Sequence, residues 1–135
     1  MIPDKRLRQI ATALATKTKT GQVKWTTREF LPQVTSYQVV LPGARVVVTY
    51  TTPRAEPDFI TLDLQNPSKV SVGSWTAVKP DEQDELNATS ELDEWQILYA
   101  LFAEAHRVVT GWDKVVSDIE TALAGQEPIG NPNAQ

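Results

Sequence analysis

The fold of this chain is decided by the stretch Tyr37-Gln38-Val39-Val40-Leu41-Pro42-Gly43-Ala44-Arg45-Val46-Val47-Val48-Thr49-Tyr50. Apolar residues alternate along both arms of the stretch, which is the period of a β-strand with one buried face. Proline followed by glycine, between the arms, is typical of a type II turn in which the glycine takes a positive φ. The stretch therefore predicts a β-hairpin.

More strand pattern flanks this hairpin. A shorter strand is expected from Val23 through Trp25 to about residues 30–32. A second hairpin is predicted with arms over 59–64 and 70–78 and a turn over 66–69. A glycine inside a strand often marks a bulge, and Gly73 is expected to turn Trp75 onto the face of Val70 and Val72.

Helical periodicity brackets the strands. Residues 4–20 predict an amphipathic helix with the stripe Leu7, Ile10 and Leu14, which Gly21 ends. A capping box at Ser90 predicts a second helix, and Thr110-Gly111 precedes a third. The stripe of the third helix is Trp112, Val115, Val116, Ile119 and Leu123.

These elements predict an α+β fold. We expect residues 1–125 to form one domain, an antiparallel sheet of four to five strands built from two hairpins, with one N-terminal and two C-terminal helices on one face. Residues 126–135 are expected to be a disordered tail. Because the helical stripes are too apolar to stay in water, Ile119→Ala is expected to cost about 2 to 5 kcal/mol.

Two segments carry a resemblance to known proteins. They are Thr18-Lys19-Thr20-Gly21-Gln22-Val23-Lys24-Trp25 and the closing run 97–116, which contains Thr110-Gly111-Trp112-Asp113. Both resemble the corresponding parts of a group of small, uncharacterised bacterial α+β domains with an N-terminal helix, an antiparallel sheet and C-terminal helices. The resemblance implies this fold, and it implies no activity.

Composition argues against several classes of function. The chain has no cysteine and one histidine, His106, so most side chains used in acid–base, nucleophilic or metal chemistry are scarce. No apolar run approaches the ~18 residues of a membrane span, and the N-terminus lacks a signal-peptide pattern. We therefore expect a cytoplasmic protein.

Specific chemical motifs were tested and fail. A Glu-x-x-His metal pair would need an acid at Ala103. The acidic segment 81–94 would need glycine at Leu86 and glutamate at Leu92 to form an EF-hand loop. Asp58 and Asp63 lack the lysine of a nuclease site. The sequence therefore predicts no catalytic, metal-binding or cofactor-binding residue, and a protein that is not an enzyme.

Two functional hypotheses remain. The first is a protein-interaction module, an adaptor, inhibitor or subunit of a bacterial system, that uses an open sheet face or an edge strand. Its candidate partner-binding residues are Val40, Arg45, Val47 and Thr49. Because this face is expected to lie outside the helical layer, Val47→Asp should remove binding while the fold survives.

The alternative is a nucleic-acid-associated protein that uses its basic N-terminal helix. The net charge of residues 1–30 is +5 and that of residues 31–135 is −9. The candidate basic patch is Lys5, Arg6 and Arg8. The same charges could instead pack against the acidic C-terminal half of the chain.

Overall fold

The computed structural model of the 135-residue chain describes residues 5–81, 90–125 and 130. The described elements run in the order α1 (Lys5–Lys19), β1 (Thr26–Leu31), β2 (Val34–Leu41), β3 (Ala44–Thr51), β4 (Phe59–Gln65), β5 (Ser71–Val78), α2 (Ser90–Thr110) and α3 (Trp112–Ala124). Two predicted segments lie mostly outside the described residues. They are the tail 126–135 and the acidic segment 81–94, which runs into the start of α2.

The five strands form one antiparallel sheet in the order β1-β2-β3-β4-β5. The α+β fold class, the antiparallel sheet and the three helices are confirmed. Both predicted hairpins are present. β1 is also joined to β2 by a tight hairpin, because Leu31 at the end of β1 pairs with Val34 at the start of β2. Gly43 is outside the left-handed region, so the predicted type II turn is wrong. Gly21, with φ 79°, ends α1 as predicted.

The predicted bulge in the second hairpin occurs one step before Gly73. Leu64 pairs with Gly73 and Gln65 pairs with Ser71, so Val72 is the extra residue. Trp75 is buried on the helix-covered face, but Val70 and Val72 are exposed and do not join it. Trp75 instead shares the helix-covered face with Leu62, its cross-strand neighbour on β4.

The core lies between the sheet and the first two helices. Alternate residues of the central strands point into it, among them Tyr37, Val46, Val48, Ile60 and Leu62. From the helices come Ala11, Leu98, Leu101 and Ala105, all fully buried. α1 packs on α2, and α2 crosses β2 to β5. The expectation that the stripe of α1 faces this core is confirmed, because Leu7 and Leu14 pack against it.

Trp25 is anchored where α1 passes the chain to the sheet. Its indole is 5% exposed, and its Nε1 donates to Thr18 Oγ1 at 2.8 Å. The Thr18 hydroxyl in turn donates to the Leu14 carbonyl at 2.6 Å. One hydroxyl therefore joins the end of the helix to the residue that leads into β1.

Thr18→Val is expected to lower the free energy of unfolding by about 1 to 3 kcal/mol, because the buried indole N–H loses its acceptor with almost no change in volume. Thr16→Val is the control, since Thr16 makes the same kind of bond to the Thr12 carbonyl at 3.1 Å on the exposed side of α1. Urea denaturation of the two variants measures the difference. Equal losses would show that the Thr18–Trp25 bond adds nothing.

The third helix is placed differently from the prediction. None of its residues is buried, and Ile119 and Leu123 are 53% and 62% exposed. The expectation that this stripe packs on the sheet is wrong, and Ile119→Ala is now expected to cost less than about 0.5 kcal/mol. The chain turns at the joint before α3: Gly111, with φ 66°, separates α2 from α3, and the contacts of α3 are mainly with α2.

Candidate functional site

The end of α2 and the start of α3 enclose an aromatic cavity. It has a volume of about 470 Å³ and is open to solvent. Its lining comes from two strands and both C-terminal helices, and consists of Thr35, Tyr50, Tyr99, Phe102, Ala103, His106, Arg107 and Trp112. We call this cavity the aromatic groove. Tyr99, Phe102 and His106 face it together because they are three and four residues apart on α2.

The aromatic rings of the groove contact one another. The ring centroids of Phe102 and Tyr50 are 5.2 Å apart, and those of Phe102 and Tyr37 are 5.4 Å apart. The Tyr37 hydroxyl and His106 Nδ1 share a hydrogen bond of 2.6 Å, and the Tyr50 hydroxyl donates to Asp58 Oδ2 at 2.7 Å. One nitrogen of the only histidine is thus engaged by a neighbour, and the walls are stiff and mostly apolar.

The tyrosines give the fold a sensitivity to alkaline pH. Burial raises the pKa of Tyr50, and the hydrogen bond from its hydroxyl to Asp58 raises it further. Burial also raises the pKa of Tyr37. Since the unfolded-state pKa is about 10, these groups stabilise the fold below that pH, and the stabilisation is lost as the pH rises above it.

Tyr50→Phe is therefore expected to reduce the slope with which the free energy of unfolding falls above about pH 10. Urea denaturation at half-unit steps from pH 8 to 11 gives the slope of the free energy of unfolding against pH for the wild type and for the variant. Parallel curves for the wild type and the variant would contradict this assignment, whatever the offset between them at pH 8.

An arginine clamp sets the direction of α3. Gly111, with φ 66°, separates α2 from α3. Across this joint, Arg107 Nη2 donates to Asp113 Oδ1 at 2.6 Å, and the guanidinium lies 5.4 Å from the centroid of Trp112. The Asp113 hydrogen bond raises the already high pKa of Arg107. Trp112 is thereby held at the mouth of the groove.

The apolar side of α3 continues from the groove. Trp112, Val115, Ile119 and Leu123 are each about half exposed, and Val116 is half-buried. We call these five residues the α3 stripe. Because Trp112 belongs to both the groove and the stripe, the two form one continuous apolar surface. On the neighbouring edge strand β1, Phe30 is 73% exposed.

The four residues predicted to bind a partner lie on the other sheet face, but they do not form an apolar centre. Val40 is 62% exposed, Arg45 and Thr49 are half-buried, and Val47 is only 2% exposed. The cross-strand neighbours of Val47 are Gln38 and Asp63. Gln38 accepts a hydrogen bond from Arg45, and Asp63 accepts one from Gln65, so these hydrogen-bonded side chains lie around Val47. The expectation that Val47 is available to a partner is therefore wrong.

The predicted basic patch is partly used within the fold. Lys5 and Arg6 are exposed on the first turns of α1. Arg8 is half-buried, and its Nη2 bonds Asp93 Oδ2 of α2 at 3.1 Å. Arg8 therefore pairs with the acidic C-terminal half.

The described residues also bear on metal binding and on membrane insertion. These hold no group of three or more histidine, cysteine, aspartate or glutamate side chains placed to bind a metal ion. No helix in the described ranges combines the length and the hydropathy needed to cross a bilayer. The groove combines mutually packed aromatic rings with the hydrogen-bonded Tyr37–His106 and Tyr50–Asp58 pairs.

Comparisons with known proteins do not assign the chain to a family. No family model matches it, and no significant match was found among curated proteins or solved structures. The resemblance to small bacterial α+β domains stays a prediction.

Proposed function

We propose that this chain is a non-enzymatic protein-interaction module that contacts its partner through the α3 stripe and the aromatic groove. The observation that supports this most is the exposure of Trp112, Val115, Ile119 and Leu123 in one row along a helix. Solvated helices rarely carry such a stripe, and contiguous apolar patches on a protein surface commonly mark contact sites. In this proposal the chain acts as an adaptor, inhibitor or subunit of a bacterial system.

Two features of the surface support a protein as its ligand. Aromatic side chains and arginine are enriched at protein interfaces, and this surface combines Trp112, Tyr99 and Arg107. Its residues lie on two helices joined at Gly111 and bridged by the Arg107–Asp113 ion pair. We include a bacterial cytoplasmic location in the proposal, because a cysteine-free chain suits a reducing compartment and because of the resemblance described above.

The test is site-specific photocrosslinking in the native cell. Benzoylphenylalanine replaces Ile119 in one variant and Val72 in the other; Val72 is a similarly exposed apolar residue on β5. We expect a discrete protein adduct from position 119 and none from position 72. No adduct at 119, or the same adducts at both positions, would reject the proposal.

The alternative proposal is nucleic-acid association through α1. It is favoured by the exposure of Lys5 and Arg6 and weakened by the ion pair between Arg8 and Asp93. A mobility-shift assay at low salt decides it. Binding that falls steeply with salt concentration would support it, since phosphate contacts release counterions. No shift at micromolar protein would reject it.

A further inference from the structure

A single residue separates α2 from α3. α2 ends at Thr110 and α3 begins at Trp112, so the change of direction between the helices depends on the backbone of Gly111. Its φ of 66° lies in the left-handed region, which residues other than glycine enter only at a cost. A Cβ built on Gly111 would meet no described atom within 4 Å. The bend is therefore held by backbone conformation and not by close packing around the glycine.

The apolar pattern of α2 crosses this bend without interruption. Apolar residues recur at alternating intervals of three and four along both helices, at Trp95, Leu98, Phe102, Ala105, Val109, Trp112, Val116, Ile119 and Leu123. This is the heptad spacing of one continuous helix. α3 keeps the phase that the core-facing residues of α2 set, although a bend does not require it. The sequence of residues 90–124 therefore also encodes a single straight helix.

The bent joint leaves backbone groups of both helices without helical partners. The first N–H groups of α3 have no acceptor within that helix, and Gly111, its N-cap, has no side chain to cap them. The Gly111 carbonyl already accepts from the Val115 N–H at 3.0 Å, as it would inside a helix. If the Gly111 backbone rotated into the right-handed region, the N–H groups of 111–114 could donate to the carbonyls of 107–110. A straight helix gains these bonds.

The arginine clamp opposes this gain. Arg107 bonds Asp113 at 2.6 Å and lies 5.4 Å from the ring centroid of Trp112. In a straight helix, Arg107 and Asp113 would lie about 120° apart around the axis, which is not a spacing at which helical side chains meet. The clamp therefore exists only in the bent form. Because no residue of α3 is buried, no core contact of α3 has to break when the chain straightens.

We propose that Gly111 is a two-state joint, at which residues 90–124 form either the bent pair α2 and α3 or one straight helix. In the bent form, Trp112 lines the aromatic groove and connects it to the α3 stripe. In the straight form, Trp112 lies about 15 Å beyond Phe102 along the helix axis, so it leaves the groove and the apolar surface is divided. The clamp thus controls the surface that contacts the partner. Only this last step rests on the proposed function.

Double electron–electron resonance on the full chain measures the two conformations without a partner. Because the chain has no cysteine, spin labels can be attached uniquely to Ala100→Cys on α2 and Thr121→Cys on α3, both at exposed positions. In a straight helix these backbone positions are about 31 Å apart, and a bend shortens the distance. The label pair is compared in the otherwise wild-type chain and in Gly111→Ala, Gly111→Asn, Asp113→Asn and Asp118→Asn.

The wild type is expected to show mainly the shorter distance. Gly111→Ala should raise the ratio of straight to bent chains by about 30-fold or more, because alanine disfavours the left-handed region and favours a helix. Gly111→Asn is the control, since asparagine tolerates the left-handed region, and it should shift the ratio far less. Asp113→Asn should raise the ratio about twofold to fivefold. Asp118→Asn should leave it unchanged, because its partner Lys114, at 2.7 Å, lies on the same helix.

Three results would overturn the two-state joint. Gly111→Ala keeps the wild-type distances, or it gives a broad distribution without a peak near 31 Å. Gly111→Asn shifts the ratio as far as Gly111→Ala does. Asp118→Asn shifts it as far as Asp113→Asn does.

Photocrosslinking from position 119 in the Gly111→Ala chain tests the control of the surface. We expect the adduct of the wild type to be lost. An adduct that persists in the straightened chain would overturn this control. A wild type without an adduct would reject the proposed function, while the two conformations would still be decided by the distances.

Discussion

Val47→Asp is expected to lower the free energy of unfolding by about 3 kcal/mol or more. Val47 is 2% exposed, and its cross-strand neighbour on β4 is Asp63. A carboxylate at this position would be placed in a nearly water-free site beside a second carboxylate. Asp63 already accepts hydrogen bonds from Gln65 and Ser71, so it cannot turn away at no cost.

Val40→Asp is the matched control, because Val40 lies on the same sheet face and is 62% exposed. It is expected to change stability by less than about 0.5 kcal/mol. Urea melts of both variants at pH 7 measure the two changes. If Val47→Asp has the same urea midpoint as the wild type, Val47 is accessible to solvent, and the sequence prediction that it contacts a partner stands.

Leu98→Ala is expected to cost about 2 to 5 kcal/mol, since truncation of a fully buried leucine loses its transfer free energy and leaves a cavity. Leu98 is completely buried where α2 crosses the sheet. Val108→Ala, on an exposed part of the same helix, should cost far less. Similar losses in the two variants would mean that α2 is not the helix that seals the core.

The sheet could be predicted from sequence because its signal is local. Strict alternation along residues 37–50 determines which residues share a face, and this pattern holds whatever the helices do. The helix ends were also predictable, because Gly21 and Gly111 adopt positive φ next to periodic segments. These features need only the chemistry of neighbouring residues.

The functional surface could not be predicted because it depends on what remains uncovered. The stripe of α3 has the pattern of a core helix, and only its exposure and its contacts with α2 show that it lies outside the core. Val47 has the pattern of an accessible strand residue, but it lies among longer side chains from the adjacent strands. Periodicity tells which residues share a face of a helix or strand, and it does not tell what covers that face.

The most direct measurement of the central claim is the mass of the complexes that contain the chain in extracts of the native cell. Wild type, Ile119→Asp and Val72→Asp are compared by size-exclusion chromatography, after melts show that all three fold equally well. The expected result is that the wild type and Val72→Asp elute in a larger assembly, while Ile119→Asp elutes near 15.0 kDa. The contradictory result is that all three elute alike, because an exposed stripe without an effect on assembly does not bind a partner.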